Sequence, residues 1–199
     1  LIKKERPDVI SGVLGCMAQS LKHDLLEKRS FVDIILGPDS YRRLPGLLKR
    51  REGQPQSLVD TKLSRFEVYD DLFPSRKEGI NAWISIMRGC DKFCTFCIVP
   101  FTRGRERSRN ALSIIEEAKQ AVKQGYKEIT LLGQNVNSYH CKDYQFHHLL
   151  EAMAGVPGIQ RIRYTSPHPQ DITEELLYTM SQHKNICNHI HLPLQAGSD

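Results

Sequence analysis

Cys90, Cys94 and Cys97 stand in the run Arg88-Gly-Cys-Asp-Lys-Phe-Cys-Thr-Phe-Cys, and these three thiols are the residues of the chain best placed to do chemistry. Four ligands close the coordination of a structural zinc, and four cysteines commonly hold an iron–sulfur cluster. Here the local run supplies three. A four-iron cubane held by three thiolates keeps one iron without a protein ligand, and an open coordination position separates a working metal from a structural one. The deficit therefore predicts reaction at the metal. The competing reading takes Cys94 and Cys97 as half of a zinc site completed by Cys141 or a histidine, although no second CxxC pair occurs. Disulfides are a poorer account, because the six cysteines are unevenly placed in a chain large enough not to need staples.

The charge beside this run has a pattern of its own. Arg103, Arg105, Arg107 and Arg109 alternate, with Glu106 as the single acid among them. On an extended segment alternation puts all four guanidinium groups on one side, a row suited to phosphate contacts. From charge alone a solvated surface loop is the better account of the row; next to a metal-binding run the preference reverses, and phosphate recognition is the expectation. The formal net charge of +5 permits an anionic partner without demanding one. With 199 residues and 40% hydrophobic content, the chain can bury a core of one domain or two, and no stretch approaches a membrane span.

The elements that must carry these residues alternate between strand and helix. Asp8-Val-Ile-Ser-Gly-Val-Leu-Gly reads as a buried strand opening into a loop at Cys16. Leu21, Leu25 and Leu26 recur at helical spacing, Val32-Asp-Ile-Ile-Leu gives a second strand stopped by Gly37 and Pro38, and a helix is expected over 41–49, capped by Asp39 or Ser40. From 53 to 79 the periodicity fades, so this segment is expected to connect two domains, 1–52 and 80–199, with a short extended piece at 65–69. Beyond it, a strand from Asn81 delivers Cys90 into a loop. Helices are expected over 114–122, 145–153 and 174–181, and strands over 128–132, 160–164 and 188–194. Such alternation predicts an α/β fold with parallel sheets, in which ligands collect at the carboxyl ends of strands. Each suspected motif lies at such an end: the cysteine loop, Gly133-Gln-Asn, Thr165-Ser-Pro-His, and Gln195-Ala-Gly-Ser.

The three-then-two spacing with Phe96 before the last cysteine resembles that of radical S-adenosylmethionine (SAM) enzymes. The continuation Cys97-Ile-Val-Pro-Phe-Thr-Arg-Gly-Arg-Glu-Arg-Ser-Arg resembles the methylthiotransferase branch, and within it the tRNA-modifying enzymes. Leu131-Leu-Gly-Gln-Asn-Val-Asn, Thr165-Ser-Pro-His-Pro and His191-Leu-Pro-Leu-Gln agree, so that the resemblance extends from about residue 9 to the end. It implies the C-terminal part of an α/β methylthiotransferase domain, then a partial (β/α) radical SAM barrel with about four of six strands. By the same resemblance, Cys90, Cys94 and Cys97 hold a [4Fe-4S] cluster whose open iron binds SAM. Phe96 lies near the adenine, Gln134 and Asn135 reach the methionine end of SAM, and Gln195 and Ser198 lie near its ribose. Ala196 stands where the family often has serine.

Cys16 matches one of three ligands of the family's auxiliary cluster, the attachment point for the inserted sulfur; the other two belong to motifs upstream of Leu1. Cys141 and Cys187 match no ligand position and are read as structural. The chain accordingly resembles an internal piece of a longer cytoplasmic enzyme, truncated at both ends and of doubtful activity alone. The implied reaction inserts a methylthio group at carbon 2 of N6-isopentenyl-adenosine beside the tRNA anticodon. One SAM donates the methyl group, and a second, reduced by an electron donor such as a flavodoxin or ferredoxin, furnishes the radical. The sulfur donor is left open, no catalytic acid or base is identified, and Arg103 and Arg105 are assigned to the RNA backbone. Sister families acting on threonylcarbamoyl-adenosine tRNA or a ribosomal-protein aspartate are the alternative substrates; a zinc-stabilised RNA-binding module is the alternative of another class.

Overall fold

Apolar runs only three to five residues long build two parallel sheets. The computed structural model describes residues 2–29, 31–53, 56–76, 79–195 and 197. Its contacts divide the chain into two units, one of residues 1–67 and 91–105, the other of 68–90 and 106–199.

The first unit opens with the short helix α1 (Ile2–Glu5), followed by β1 (Gly12–Leu14), α2 (Cys16–Leu21), α3 (His23–Lys28), β2 (Ile34–Leu36), α4 (Leu44–Gly53) and β3 (Leu58–Asp60). The strands pair in parallel in the order β1-β2-β3, with Val13 opposite Ile35 and Ile35 opposite Val59. β2 is buried on both faces, as the central strand of a parallel sheet must be. Because successive side chains alternate, Ile35 packs with Ala18, Val32, Leu25 and Leu26 on one face, while Ile34 and Leu36 pack with Leu47 and Leu44 on the other. Helices therefore cover both faces. The helical period of Leu21, Leu25 and Leu26 is broken at Lys22, whose φ of 45° separates α2 from α3. The expected extended piece at 65–69 is not a strand: the Ser64 hydroxyl accepts from the backbone N–H of Phe66 and of Glu67, which curls the chain there. Leu58–Asp60, within the expected connection, supplies the third strand. The stretch 91–105 adds α5 (Val99–Arg103), which packs on α2.

In the second unit β4 (Asn81–Ser85), β7 (Glu128–Leu132) and β10 (Arg161–Tyr164) form a parallel sheet of order β10-β7-β4. Between β4 and β7 run a small ladder of β5 (Met87–Arg88) with β6 (Arg107–Ser108) and then α6 (Ala111–Lys123). The hairpin β8 (His140–Cys141) and β9 (Tyr144–Gln145) with α7 (Phe146–Ala154) links β7 to β10, and α8 (Glu174–Gln182) follows. α6 begins where the Asn110 side chain accepts from the Leu112 N–H at 2.9 Å and ends before Gly125, whose φ is 96°. Ala82, Ile84, Ile129, Leu131, Ile162 and Tyr164 face these helices and meet Ile114, Ala118, Leu149, Met153 and Leu176 in the core.

The expected strand 188–194 does not form. The chain pairs beside β10 only in the bridge of Ile186 to Ile162, after which His189 N–H turns back to the Cys187 carbonyl at 2.8 Å. Pro193, without an N–H, cannot extend a ladder. Among the described residues no helix is long and apolar enough to cross a membrane.

Candidate functional site

Motifs gather at the carboxyl ends of β4, β7 and β10. β4 runs through Ile86 into β5, and Gly89 (φ 76°) turns the chain at Cys90. The Gly89 N–H is received by Gln134 Oε1 at 2.8 Å, so the loop after β7 latches the corner that launches the cysteine run. Gly133 makes this approach possible: a Cβ there would lie 2.5 Å from Met87 Cγ. Asn135, almost fully buried, donates to Asp171 Oδ2 at 2.7 Å and accepts the His168 N–H at 3.1 Å, while Asn137 accepts that same N–H at 2.7 Å. These amides tie the loop after β7 to the loop after β10. Asn135 is thus held in the scaffold on both its donor and acceptor sides, whereas Gln134 remains half-buried.

Cys90 is buried; Cys94 and Cys97 are partly accessible, and all six cysteines of the chain carry thiols. Phe93 adopts a φ of 49°, and the Cys97 N–H closes a turn on the Cys94 carbonyl at 2.9 Å. Phe96 is 72% exposed, which rules out its being an ordinary core aromatic and leaves its ring available to a ligand. Among the described residues no three His, Cys, Asp or Glu side chains gather around one ion position. A mononuclear zinc needs that convergence, with sulfur about 2.3 Å from the metal. A cubane places each thiolate on a separate iron, and the run supplies three free thiols for it.

Gln195 is exposed with a φ of 70°, and Ser198 lies outside the described residues. The four arginines do not form the expected row. α5 ends at Arg103, Gly104 turns with a φ of 74°, and Arg107 enters β6, so no single extended segment carries all four. Arg107 and Arg109 are buried. Arg109 donates to Glu117 Oε2 at 2.7 Å, to the Ser85 carbonyl at 2.8 Å and to Ser113 Oγ at 2.8 Å. Glu117, which also receives Arg76, was legible as a lone acid in the apolar stripe of Ile114, Ala118 and Ala121. Arg105 alone among the four is exposed; it pairs with Asp91 at 2.7 Å and lies 5.4 Å over the Phe93 ring, which Phe101 meets edge-on.

Arg103 has a different partner. Its Nε–H donates to Cys16 Sγ at 3.2 Å. Cys16 opens α2 directly after Gly15, whose φ of 106° makes the turn out of β1.

Residues 84–199 match the family model described as the Radical SAM superfamily. The chain belongs to the radical SAM superfamily. The parallel sheet β10-β7-β4 is consistent with a partial (β/α) barrel of that superfamily. Similar to it over nearly all its length are proteins named tRNA-2-methylthio-N(6)-dimethylallyladenosine synthase. That of Chloroherpeton thalassium is 48% identical over 199 residues, covering 99% of this chain and 44% of the relative. That of Bacteroides fragilis strain YCH46 is 49% identical over 205 residues, with the same coverages. The chain thus spans less than half the length of the curated relatives it matches. A solved radical SAM methyltransferase, TsrM from Kitasatospora setae with cobalamin and a [4Fe-4S] cluster bound, shares the fold at a TM-score of 0.60 and 15% identity, over 90% of this chain and 41% of TsrM.

Proposed function

We propose that this chain is the part of a radical SAM tRNA methylthiotransferase that holds SAM and its cluster, and that the complete protein adds a methylthio group to carbon 2 of N6-isopentenyl-adenosine. The observation that carries this reading is the set of three thiols, with no fourth in the run, following β4 of a radical SAM fold. Relatives 44–49% identical and named for that modification support the substrate.

Cys90, Cys94 and Cys97 ligate a [4Fe-4S] cluster, and Cys16 contributes to a second. The chemistry such a cluster supplies, with one iron open, is one-electron reductive cleavage of SAM. The chain's own residues do the positioning. Gln134 holds the Gly89 corner and presents its remaining amide toward SAM, Asn135 fixes the loop that carries Gln134, and Phe96 offers its ring to the adenine. Gln195 and Ser198 serve the ribose side. Arg105 with Phe93 and Phe101 forms a cationic, aromatic surface suited to an RNA backbone and an unstacked base, and Arg103 lies one turn of chain before it. A flavodoxin- or ferredoxin-like donor and a cytoplasmic setting belong to this reading. Residues 1–52 then belong to the methylthiotransferase domain and 80–199 to the radical SAM core.

Anaerobic reconstitution with iron and sulfide tests the cluster: about four irons lost on replacing Cys90, Cys94 and Cys97 by Ala is the expected result, and stoichiometric zinc with no visible chromophore sinks it. Mass spectrometry of tRNA nucleosides from cells lacking the gene tests the substrate, with accumulation of unthiolated isopentenyl-adenosine expected. Arg105→Ala should weaken tRNA binding and reduce the salt slope by about one.

A further inference from the structure

The loop after β10 carries a residue in a conformation that its sequence disfavours twice. Ser166 has a φ of 55°, a left-handed value uncommon outside glycine, and it precedes Pro167, a position that ordinarily pushes the backbone to extended angles. Its neighbours hold it there. Before it, Thr165 donates its N–H to the Leu131 carbonyl of β7 at 3.2 Å. After it, Pro167 is buried, and His168 gives its N–H to Asn135 and Asn137 while its carbonyl accepts from Asn137 Nδ2 at 2.9 Å. Short polar side chains that enter this conformation commonly bond locally to the backbone. Ser166 is exposed instead, and among the described residues none hydrogen-bonds its hydroxyl. The strained backbone thus presents a donor that nothing inside the fold receives.

We propose that Ser166 is a SAM-binding residue, its hydroxyl donating to an oxygen acceptor of SAM, either the methionine carboxylate or a ribose hydroxyl. The inference rests on the reading that SAM lies across the carboxyl ends of this sheet. Tyr164 stands opposite Leu131, and Leu131 opposite Ile84, so Ser166 leaves β10 at the level where Gly133 and Gln134 leave β7 and where β4 runs on toward Cys90. Neighbouring strands lie about 4.8 Å apart, which puts the end of β10 about 10 Å from that of β4. Ser166 is thereby on the same rim as Gln134, one strand farther from the cysteine run. Residues held in sparsely populated backbone regions gather at ligand sites, where the surrounding structure over-determines them. Asn135 and Asn137 supply that over-determination: they grip His168 from the loop that carries Gln134, which couples the two contacts.

The test measures binding and folding in the complete protein with its cluster reconstituted. The probes are S-adenosylhomocysteine, which has both carboxylate and ribose, and 5′-methylthioadenosine, which lacks the carboxylate. Ser166→Ala removes the hydroxyl, keeps the strained backbone, and should raise the Kd of S-adenosylhomocysteine about fivefold. Ser166→Gly removes hydroxyl and strain together; it should weaken binding at least as much, and raise the melting temperature of the ligand-free protein by about 2 °C. A merely structural loop residue gives no such opposition of stability and affinity. Weakening confined to S-adenosylhomocysteine assigns the bond to the carboxylate, and weakening of both probes assigns it to the ribose. Unchanged affinities in both variants overturn the role of Ser166 and leave the SAM site standing. Failure of the unsubstituted protein to bind S-adenosylhomocysteine overturns the site on this rim, and the role of Ser166 with it.

Discussion

Arg109 and Glu117 show what one buried ion pair does in this molecule. Their side chains are 4% and 2% exposed, and Arg76, at 9%, shares the carboxylate. Removing the acid leaves two desolvated guanidinium groups with less to answer them. Glu117→Leu should therefore cost about 3–5 kcal/mol. Urea unfolding followed by the fluorescence of Trp83, the only tryptophan and a residue of β4, reads this directly. Asp33 gives the other unit part of its pH dependence, beside Asp60, whose carboxyl is raised by burial but lowered further by Arg43 and Ser40. Burial pushes the Asp33 carboxyl up, but hydrogen bonds from Lys3, the Ser11 backbone and Arg51 outweigh it and hold the group well below its ordinary value of 3.8. With the folded pKa depressed, the stabilisation is complete above the ordinary value and is lost as pH falls through the folded one. Hydrogen exchange of the β2 amides should thus accelerate in strong acid, and Asp33→Asn should weaken that acid dependence while lowering stability at neutral pH by about 2 kcal/mol.

At the scale of elements, the latch of Gln134 on Gly89 makes the loop after β7 a support for the turn into the cysteine run. Gln134→Leu removes the acceptor from a partly buried N–H and should cost about 1–2 kcal/mol. The Gly89 amide should lose protection in exchange experiments while the β4 and β7 amides keep theirs. These elements differ in how readable they were. β7 and α8 stand where their apolar period places them, whereas α6 starts at Ala111, before the expected 114, because Asn110 caps its first turn; Thr173 caps that of α8. The strand expected over 188–194 does not form: an apolar run carries no mark of whether a partner ladder exists, and Pro193 lacks the N–H to extend one. The arginine row was misread for a related reason: alternation predicts a common side only while the backbone stays extended, and Gly104 ends that. At the site, spacing sufficed for Cys90, Cys94 and Cys97. It could not reveal the bond from Arg103 to Cys16, which exists only once α2 and α5 have met.

At the scale of the whole molecule, neither unit is a continuous length of chain. The first takes residues 1–67 and then, after 23 intervening residues, 91–105. The packing of α5 on α2 consequently has a high sequence separation, and such contacts form late. During synthesis, a nascent chain released up to residue 90 has all three strands of the first sheet yet lacks the helix that covers α2. Arrest at that length should leave α2 open to proteases, and extension past residue 105, beyond the ribosomal tunnel, should protect it; protection already present at residue 90 contradicts the dependence. The order of translation thus sets a checkpoint. Arg103 must emerge before Cys16, made far earlier, acquires its partner.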